Sequence, residues 1–293
     1  MSGVAKLRSM LFVPADSERK LAKSLGSPAD VLILDLEDSV AESRKAGARG
    51  TAAAFITANA QQIGARLYVR INPLDSGLAM GDLAAVVVAG LAGIMLPKTR
   101  SAADIVHLGH CLDALEARAG IAPGSVQIVP VATETPEAIL NMQSFAGPIA
   151  RLAGVTWGAE DLSAAIGAVS NRDEDGSYSP LYALANSLCL AAAAAAGVPA
   201  IDTLHADFRD SAGLAAACRA SRRRGFRGRI AIHPDQVALI NEAYSPSEAE
   251  LVHARRIIDA FAAQPEAGTL SIDGVMIDKP HLTQALRTLA SAG

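Results

Sequence analysis

The sequence has 293 residues, of which 51% are apolar and 19% charged, enough for one large α/β domain with a sizeable core and too apolar for a disordered chain. The formal net charge is −4, which excludes a broad nucleic-acid footprint. The one basic cluster, Arg222, Arg223 and Arg224 with Arg227 and Arg229, reads as a solvated helix end or a phosphate contact.

Eight short apolar runs, many β-branched, alternate with stretches of helical period: residues 9–15, 31–39, 66–72, 93–98, 127–133, 154–158, 199–205 and 229–234. Helices are expected between them, over 105–119 and 187–196 among others. Alternating units with buried parallel strands predict an α/β fold. Eight such units in this length predict a closed (β/α)8 TIM barrel rather than an open doubly wound sheet. No GxGxxG follows the first strand, which argues against dinucleotide binding.

The barrel domain is expected to span residues 1–243, with a C-terminal helical extension over 244–293. Ser245-Pro246-Ser247-Glu248 predicts a capping box with proline in first position, and a helix to about Phe261. A polar stretch, the run GVMID (274–278) and a last helix started by Pro280 follow, with Leu282, Ala285, Leu286 and Leu289 as its apolar stripe. This tail exceeds what a barrel needs.

Three scattered cysteines, Cys111, Cys189 and Cys218, with no CxxC, predict neither a disulfide framework nor a zinc site, and favour a reducing, cytoplasmic compartment. No signal-peptide pattern opens the chain. The longest apolar run, 188–197, falls short of the roughly 20 residues a bilayer span needs, so no membrane partner is expected.

In a barrel of this kind the active site lies at the C-terminal ends of the strands. Along VLILDLEDS a period of two turns Leu32, Leu34 and Leu36 towards the helices, and Ile33, Asp35 and Glu37 towards the barrel interior and mouth. The third run likewise turns Tyr68, Arg70 and Asn72 inward, which sets Arg70 near those carboxylates. The fifth run ends at Glu134, after which Thr135 caps and Pro136 starts a helix. The sixth is followed by Gly158-Ala159-Glu160-Asp161. Adjacent strands would bring Glu134 and Asp161 side by side. Magnesium favours oxygen ligands in an octahedron and keeps several waters. Two carboxylates and a bidentate 2-oxo or 2-hydroxy acid would complete such a shell. The alternative is that these acids pair with Lys98 or Arg70, or cap helices. His233 and His205 end the eighth and seventh runs and are read as ligand contacts or as histidines bonded to backbone. The loop 171–177 lacks the closing glutamate of a calcium site and is expected to be exposed. No GxSxG elbow is present.

At these residues the chain resembles the citrate lyase β-subunit-like family of magnesium-dependent CoA-thioester lyases, which includes malyl-CoA and citramalyl-CoA lyases. The matches run in order: Arg8-Ser9 with Leu11-Phe12-Val13-Pro14, DLEDSV (35–40), Arg70-Ile71-Asn72-Pro73, Leu96-Pro97-Lys98, Glu134-Thr135-Pro136 and Gly158-Ala159-Glu160-Asp161-Leu162. They continue through Ala200-Ile201-Asp202, Ile232-His233-Pro234 and Met276-Ile277-Asp278. The resemblance implies Glu134 and Asp161 as Mg2+ ligands, with Glu134 also touching substrate. It implies Arg70 and Asp278 as catalytic residues, and Phe12, Lys23, Arg70, Ile232 and His233 as contacts to the CoA-bearing ligand. Asp35 and Glu37 would support the site from behind. The implied reaction is reversible carbon–carbon cleavage of a 3-hydroxyacyl-CoA to acetyl-CoA and a 2-oxo acid. The implied assembly is a homo-oligomer, trimer or hexamer, in which Asp278 closes a neighbour's site. Two alternatives accompany it: a thioesterase on the same metal site, and a pyruvate-dependent aldolase. The aldolase would need a histidine base after the second strand, and residues 41–49 contain none. Some β subunits of citrate lyase are shorter and lack the tail, so the tail favours a stand-alone enzyme.

Overall fold

The computed structural model describes residues 6–292. Its strands are Ser9–Pro14 (β1), Val31–Asp35 (β2), Arg66–Arg70 (β3), Gly93–Leu96 (β4), Gln127–Pro130 (β5), Val155–Thr156 (β6), Ala200–Asp202 (β7) and Gly228–Ala231 (β8). They form one parallel sheet in the order β5-β4-β3-β2-β1-β8-β7-β6. Single parallel bridges, Ile128 to Leu152 and Val131 to Thr156, join its two edges. The sheet is therefore a (β/α)8 barrel whose seam between β5 and β6 is held by isolated bridges rather than a continuous ladder.

The helices of this unit are Glu18–Ser24 (α1), Lys45–Asn59 (α2), Ala79–Val86 (α3), Ala102–Ala119 (α4), Pro136–Leu140 (α5), Glu160–Ile166 (α6), Pro180–Ala196 (α7), Ser211–Arg224 (α8) and Pro234–Tyr244 (α9). Inward side chains fill the barrel: Met10, Ile33, Tyr68, Met95, Val129 and Ile201 form one cluster. Tyr68 has room only because its neighbour in β4 is glycine; a Cβ on Gly93 would lie 2.0 Å from the ring. The inward assignment of Ile33 and Tyr68 holds, and Leu32, Leu34 and Leu36 are buried outside that cluster.

Every strand is shorter than its apolar run. β2 stops at Asp35 because the Asp35 carboxylate accepts hydrogen bonds from the Glu37 and Ser39 N–H groups, a turn that competes with the ladder. Beyond the strand ends the period of two holds at Glu37 but fails at Asn72. Asn72 does not enter the mouth: it donates to the Leu36 carbonyl and to Asp82 on α3, and Lys45 of α2 donates to it. Arg222 to Arg224 close the last turn of α8, where cations suit the helix dipole. Arg229 does not belong with them. It is buried on β8, paired with Asp202 and donating to the Thr203 carbonyl.

Glu242 onward forms a second compact unit, separate from Leu7–Asn241. It contains helices Glu248–Ala263 (α10) and Lys279–Ala290 (α11) and a hairpin of Thr269–Ile272 (β9) with Val275–Asp278 (β10). The hairpin was not expected from the polar stretch before GVMID. Its turn places Asp273 and Gly274 at φ 52° and 79°, the left-handed pair a two-residue hairpin loop requires. The capping box uses Ser247 and Glu250, so Pro246 lies before the cap and not inside the helix. Ala254, Ile257, Phe261, Ile277 and Ala285 form the core of this unit; Leu282 and Leu289 pack against it, but Leu286 is 52% exposed. Among the described residues no helix is long and apolar enough to cross a membrane.

Candidate active site

The ends of β2 to β6 carry the charged groups. Arg70, the last residue of β3, faces Asp35, the last residue of β2, in register. Its Nε and Nη2 donate to the two Asp35 oxygens at 2.7 Å each, a bidentate pair. Its Nη1 lies 2.9 Å from Glu37 Oε2, and its guanidinium stands 4.5 Å from the centre of the Phe12 ring. Asp35 and Glu37 are buried. Burial opposes ionisation of Asp35, but its bonds to Arg70 hold it below the ordinary carboxylate value. Burial raises Glu37, against the pull of Arg70 and Lys98.

Thr135 accepts from the Ala138 N–H and Pro136 opens α5, as the sequence predicts, which leaves Glu134 at the strand-to-helix turn. The loops after β5 and β6 are stitched together: the Gly158 N–H donates to Thr133 Oγ1 at 3.1 Å, and Thr133 Oγ1 donates to the Gly158 carbonyl at 3.2 Å. Just before Gly158, the buried Trp157 ring donates to Asp202 at 2.7 Å. This holds Asp161, in the first turn of α6, near Glu134. Gly158 is needed for the approach, because a Cβ there would lie 3.0 Å from Glu134 Cγ.

Lys98 ties the cluster together. Its ammonium is 2.6 Å from Glu37 Oε1 and 3.0 Å from Asp161 Oδ1, and its backbone N–H donates to Glu134 Oε2 at 2.5 Å. It does this from φ +49°, a left-handed conformation uncommon for a residue with a side chain. Burial of the amine works against its charge, but the bonds to Glu37 and Asp161 hold it above the ordinary lysine value.

Glu134 is buried, and burial together with the Asp161 charge pushes its carboxyl up to about 8. The carboxylates Asp35, Glu37, Glu134 and Asp161, with the more exposed Asp38 3.6 Å from Arg70, outnumber the two cations, Arg70 and Lys98, an excess of negative charge that a divalent ion would offset. These residues therefore fit a divalent cation. Among the described residues no group of three or more His, Cys, Asp or Glu side chains converges into a closed cage. Water and a bidentate ligand would have to supply the rest of the shell.

The structure thus brings together Phe12, Asp35, Glu37, Arg70, Glu134 and Asp161, and adds Lys98. The other sequence candidates have surroundings of their own. Lys23 is exposed on α1. Ile232 and His233 follow β8; the His233 ring stacks on Phe208 at 4.5 Å between centroids, and its Nδ1 accepts from the Asp235 N–H. His205 Nε2 lies 3.4 Å from Asp210. Asp278 belongs to the C-terminal unit, where it caps α11 and sits 2.6 Å from His281 Nδ1. The bond to His281 holds its carboxyl below the ordinary value. The loop 171–177 is exposed and closed by an Arg172–Tyr178 bridge. Lys98 is the cluster residue that the sequence pattern does not single out as a site group. For Lys98 a signal existed, since a lysine directly after an apolar strand points to the mouth of a barrel.

Comparison with known proteins agrees with this architecture. Residues 8–234 match the profile of the HpcH/HpaI aldolase/citrate lyase family. The citrate lyase subunit beta of Escherichia coli K12 is 34% identical over 288 residues, covering 97% of this chain and 93% of that one. Its match reaches through the C-terminal segment, so that segment does not separate a stand-alone enzyme from a complex subunit. A (3S)-malyl-CoA thioesterase of Cereibacter sphaeroides is 35% identical over 290 residues, covering 97% and 94%. The crystal structure of CitE from Mycobacterium tuberculosis in complex with magnesium, acetoacetate and coenzyme A superposes with a TM-score of 0.78 at 35% identity, covering 99% of each chain. The chain belongs to the HpcH/HpaI aldolase/citrate lyase family, and it is an enzyme of the citrate lyase β-subunit-like kind.

Proposed function

We propose that this chain is a magnesium-dependent carbon–carbon lyase. Its substrate is a 3-hydroxyacyl-CoA of the malyl-, citramalyl- or citryl-CoA type, cleaved reversibly to acetyl-CoA and a 2-oxo acid. The observation that carries the reading is the buried Glu134 carboxylate held beside Asp161, next to the Arg70–Asp35 pair. Glu134 and Asp161 would hold the ion, and the magnesium, acetoacetate and coenzyme A in the mycobacterial relative support that assignment. When bound, magnesium supplies Lewis-acid polarisation of the substrate oxygens and offsets the excess negative charge.

The protein's own groups supply the rest. The hydroxyl proton leaves to solvent, the hydroxyl carbon becomes the carbonyl of the 2-oxo acid, and the C–C bonding pair moves towards the thioester, which leaves an enolate. Arg70, fixed by two bonds to Asp35, offers a preorganised cation for the thioester oxygen; such donors contribute about 3–4 kcal/mol each. In the condensing direction the Asp278 carboxylate removes a proton from the acetyl methyl group; in the cleaving direction it first takes up, through solvent, the proton released by the hydroxyl and then passes it to the enolate carbon. In this reading Asp278 acts in the site of a second copy, so the active form is a homo-oligomer. Phe12, Lys23, Ile232 and His233 contact the CoA-bearing ligand.

The decisive experiment incubates the protein with malyl-, citramalyl- and citryl-CoA, with magnesium and with EDTA, and measures acetyl-CoA, free CoA and 2-oxo acid. Magnesium-dependent release of acetyl-CoA with one equivalent of 2-oxo acid is expected. The 35% identity to a malyl-CoA thioesterase favours a second reading, hydrolysis of the thioester at the same site. Free CoA and an intact hydroxy diacid would establish that reading and overturn the lyase.

A further inference from the structure

Lys98 takes no part in the proposed chemistry. Its ammonium spans Glu37 and Asp161, and its own N–H holds Glu134, so one residue grips three of the four carboxylates in the cluster. A left-handed backbone at φ +49° aims both groups into the same space. Such strain persists only where surrounding structure enforces it, and it gathers at functional sites. The ammonium bond to Asp161 and a metal bond to Asp161 draw on the same oxygens. A unit positive charge this close to a divalent ion also repels it through a partly buried medium.

We propose that Lys98 is the resident counter-cation of this carboxylate pair. In the metal-free protein its ammonium bridges Glu37 and Asp161 and keeps the pair assembled. Loading of a divalent cation requires the ammonium to leave Asp161, while the Lys98 N–H stays on Glu134. Lys98 is thus a positioning residue that sets metal affinity. The inference rests on the reading of Glu134 and Asp161 as the metal-holding pair. The lysine also offsets part of the negative charge gathered here, since its ammonium lies 2.6 Å from Glu37 and 3.0 Å from Asp161.

The test is Mg2+ binding by titration calorimetry, with no substrate present. Lys98→Met removes the competitor and keeps the backbone donor; it should bind Mg2+ about tenfold more tightly than the wild type, equivalent to about 1.4 kcal/mol. Lys98→Arg keeps the charge and should stay within about threefold of the wild type. In wild-type protein labelled with 15N-lysine, addition of Mg2+ should shift the Lys98 ammonium resonance. That measurement needs no variant and covers the case in which Lys98→Met fails to fold. If Lys98→Met binds Mg2+ equally or more weakly, or the resonance does not move while wild-type protein binds the ion, the role of Lys98 is overturned and the metal site stands. If the wild type binds no Mg2+ and Glu134→Gln gives the same trace, the metal site falls and Lys98's role with it.

Discussion

A second heavily bonded carboxylate lies on α4, on the flank of the barrel. Glu116, on α4, is fully buried. It accepts from Arg151 Nη1 at 2.8 Å and Nη2 at 2.6 Å, and from the Val126 and Gly124 N–H groups at 2.8 Å each. Arg151 in turn donates to the Val126 carbonyl at 2.9 Å and adopts φ +65° to do so. Together they clamp α4 to the start of β5 and to the loop before β6, the seam where the sheet lacks a full ladder. The Arg151 bonds, aided by the two N–H groups and opposed by burial, hold the Glu116 carboxyl down at about 2. Against the ordinary value of 4.5, that gap corresponds to about 3 kcal/mol of stability at pH 7. Because the folded value is depressed, this contribution is complete above pH 4.5 and is lost as pH falls towards 2. Glu116→Gln preserves shape but removes the charge. Urea unfolding at pH 7 should show a loss of about 3 kcal/mol, and thermal unfolding a fall of roughly 6–12 °C for a domain of this size. The difference between variant and wild type should shrink steadily between pH 4.5 and pH 2. A loss under about 1 kcal/mol at pH 7, or a difference that is equally large at pH 2.5, would refute this assignment of stability to the Glu116–Arg151 clamp.

At the site itself, Glu134→Gln should abolish turnover yet leave circular dichroism and unfolding midpoint near wild type; full turnover would contradict the metal assignment. Gly158→Ala pushes a Cβ to 3.0 Å from Glu134 Cγ and should weaken Mg2+ binding in calorimetry with little change in melting temperature. Arg70→Lys loses the bidentate grip on Asp35 and should lower kcat about 100-fold while the protein stays folded. Asp278→Asn should slow turnover strongly with modest loss of ligand affinity; wild-type exchange of the acetyl-CoA methyl protons in D2O would remove Asp278 from acid–base chemistry.

The barrel was legible in the sequence because parallel strands buried on both faces leave near-continuous apolar runs, and eight of them stand out between Ala- and Leu-rich helices. Their ends were not legible. Asp35 and Asp202 each accept from a following backbone N–H, which stops the ladder while the apolar pattern runs on. The inward alternation located Asp35 and Arg70, which end regular strands, and Glu37, which Arg70 and Lys98 hold in the cluster two residues past β2. It failed at Asn72, where the chain has left the strand for α3. Lys98 was visible as a partner for the acids and as part of the Leu96-Pro97-Lys98 match, but its grip on Glu134 through the backbone depends on a left-handed conformation that no side-chain pattern encodes. Arg151 and Glu116 are far apart in sequence, and nothing in their local context announces the clamp. In the C-terminal unit, β9 alternates half-buried and exposed residues, too weak a pattern to read without its partner strand.

The central claim is that Glu134 and Asp161 jointly hold a divalent cation at the barrel mouth. The most direct measurement is anomalous diffraction from crystals grown with Mn2+ in place of Mg2+ and soaked with a 2-oxo acid. One strong peak touching both carboxylates, with the Lys98 ammonium drawn off Asp161, is the predicted result. Crystals without a peak there, or with the two carboxylates turned apart and the metal elsewhere, would contradict the account.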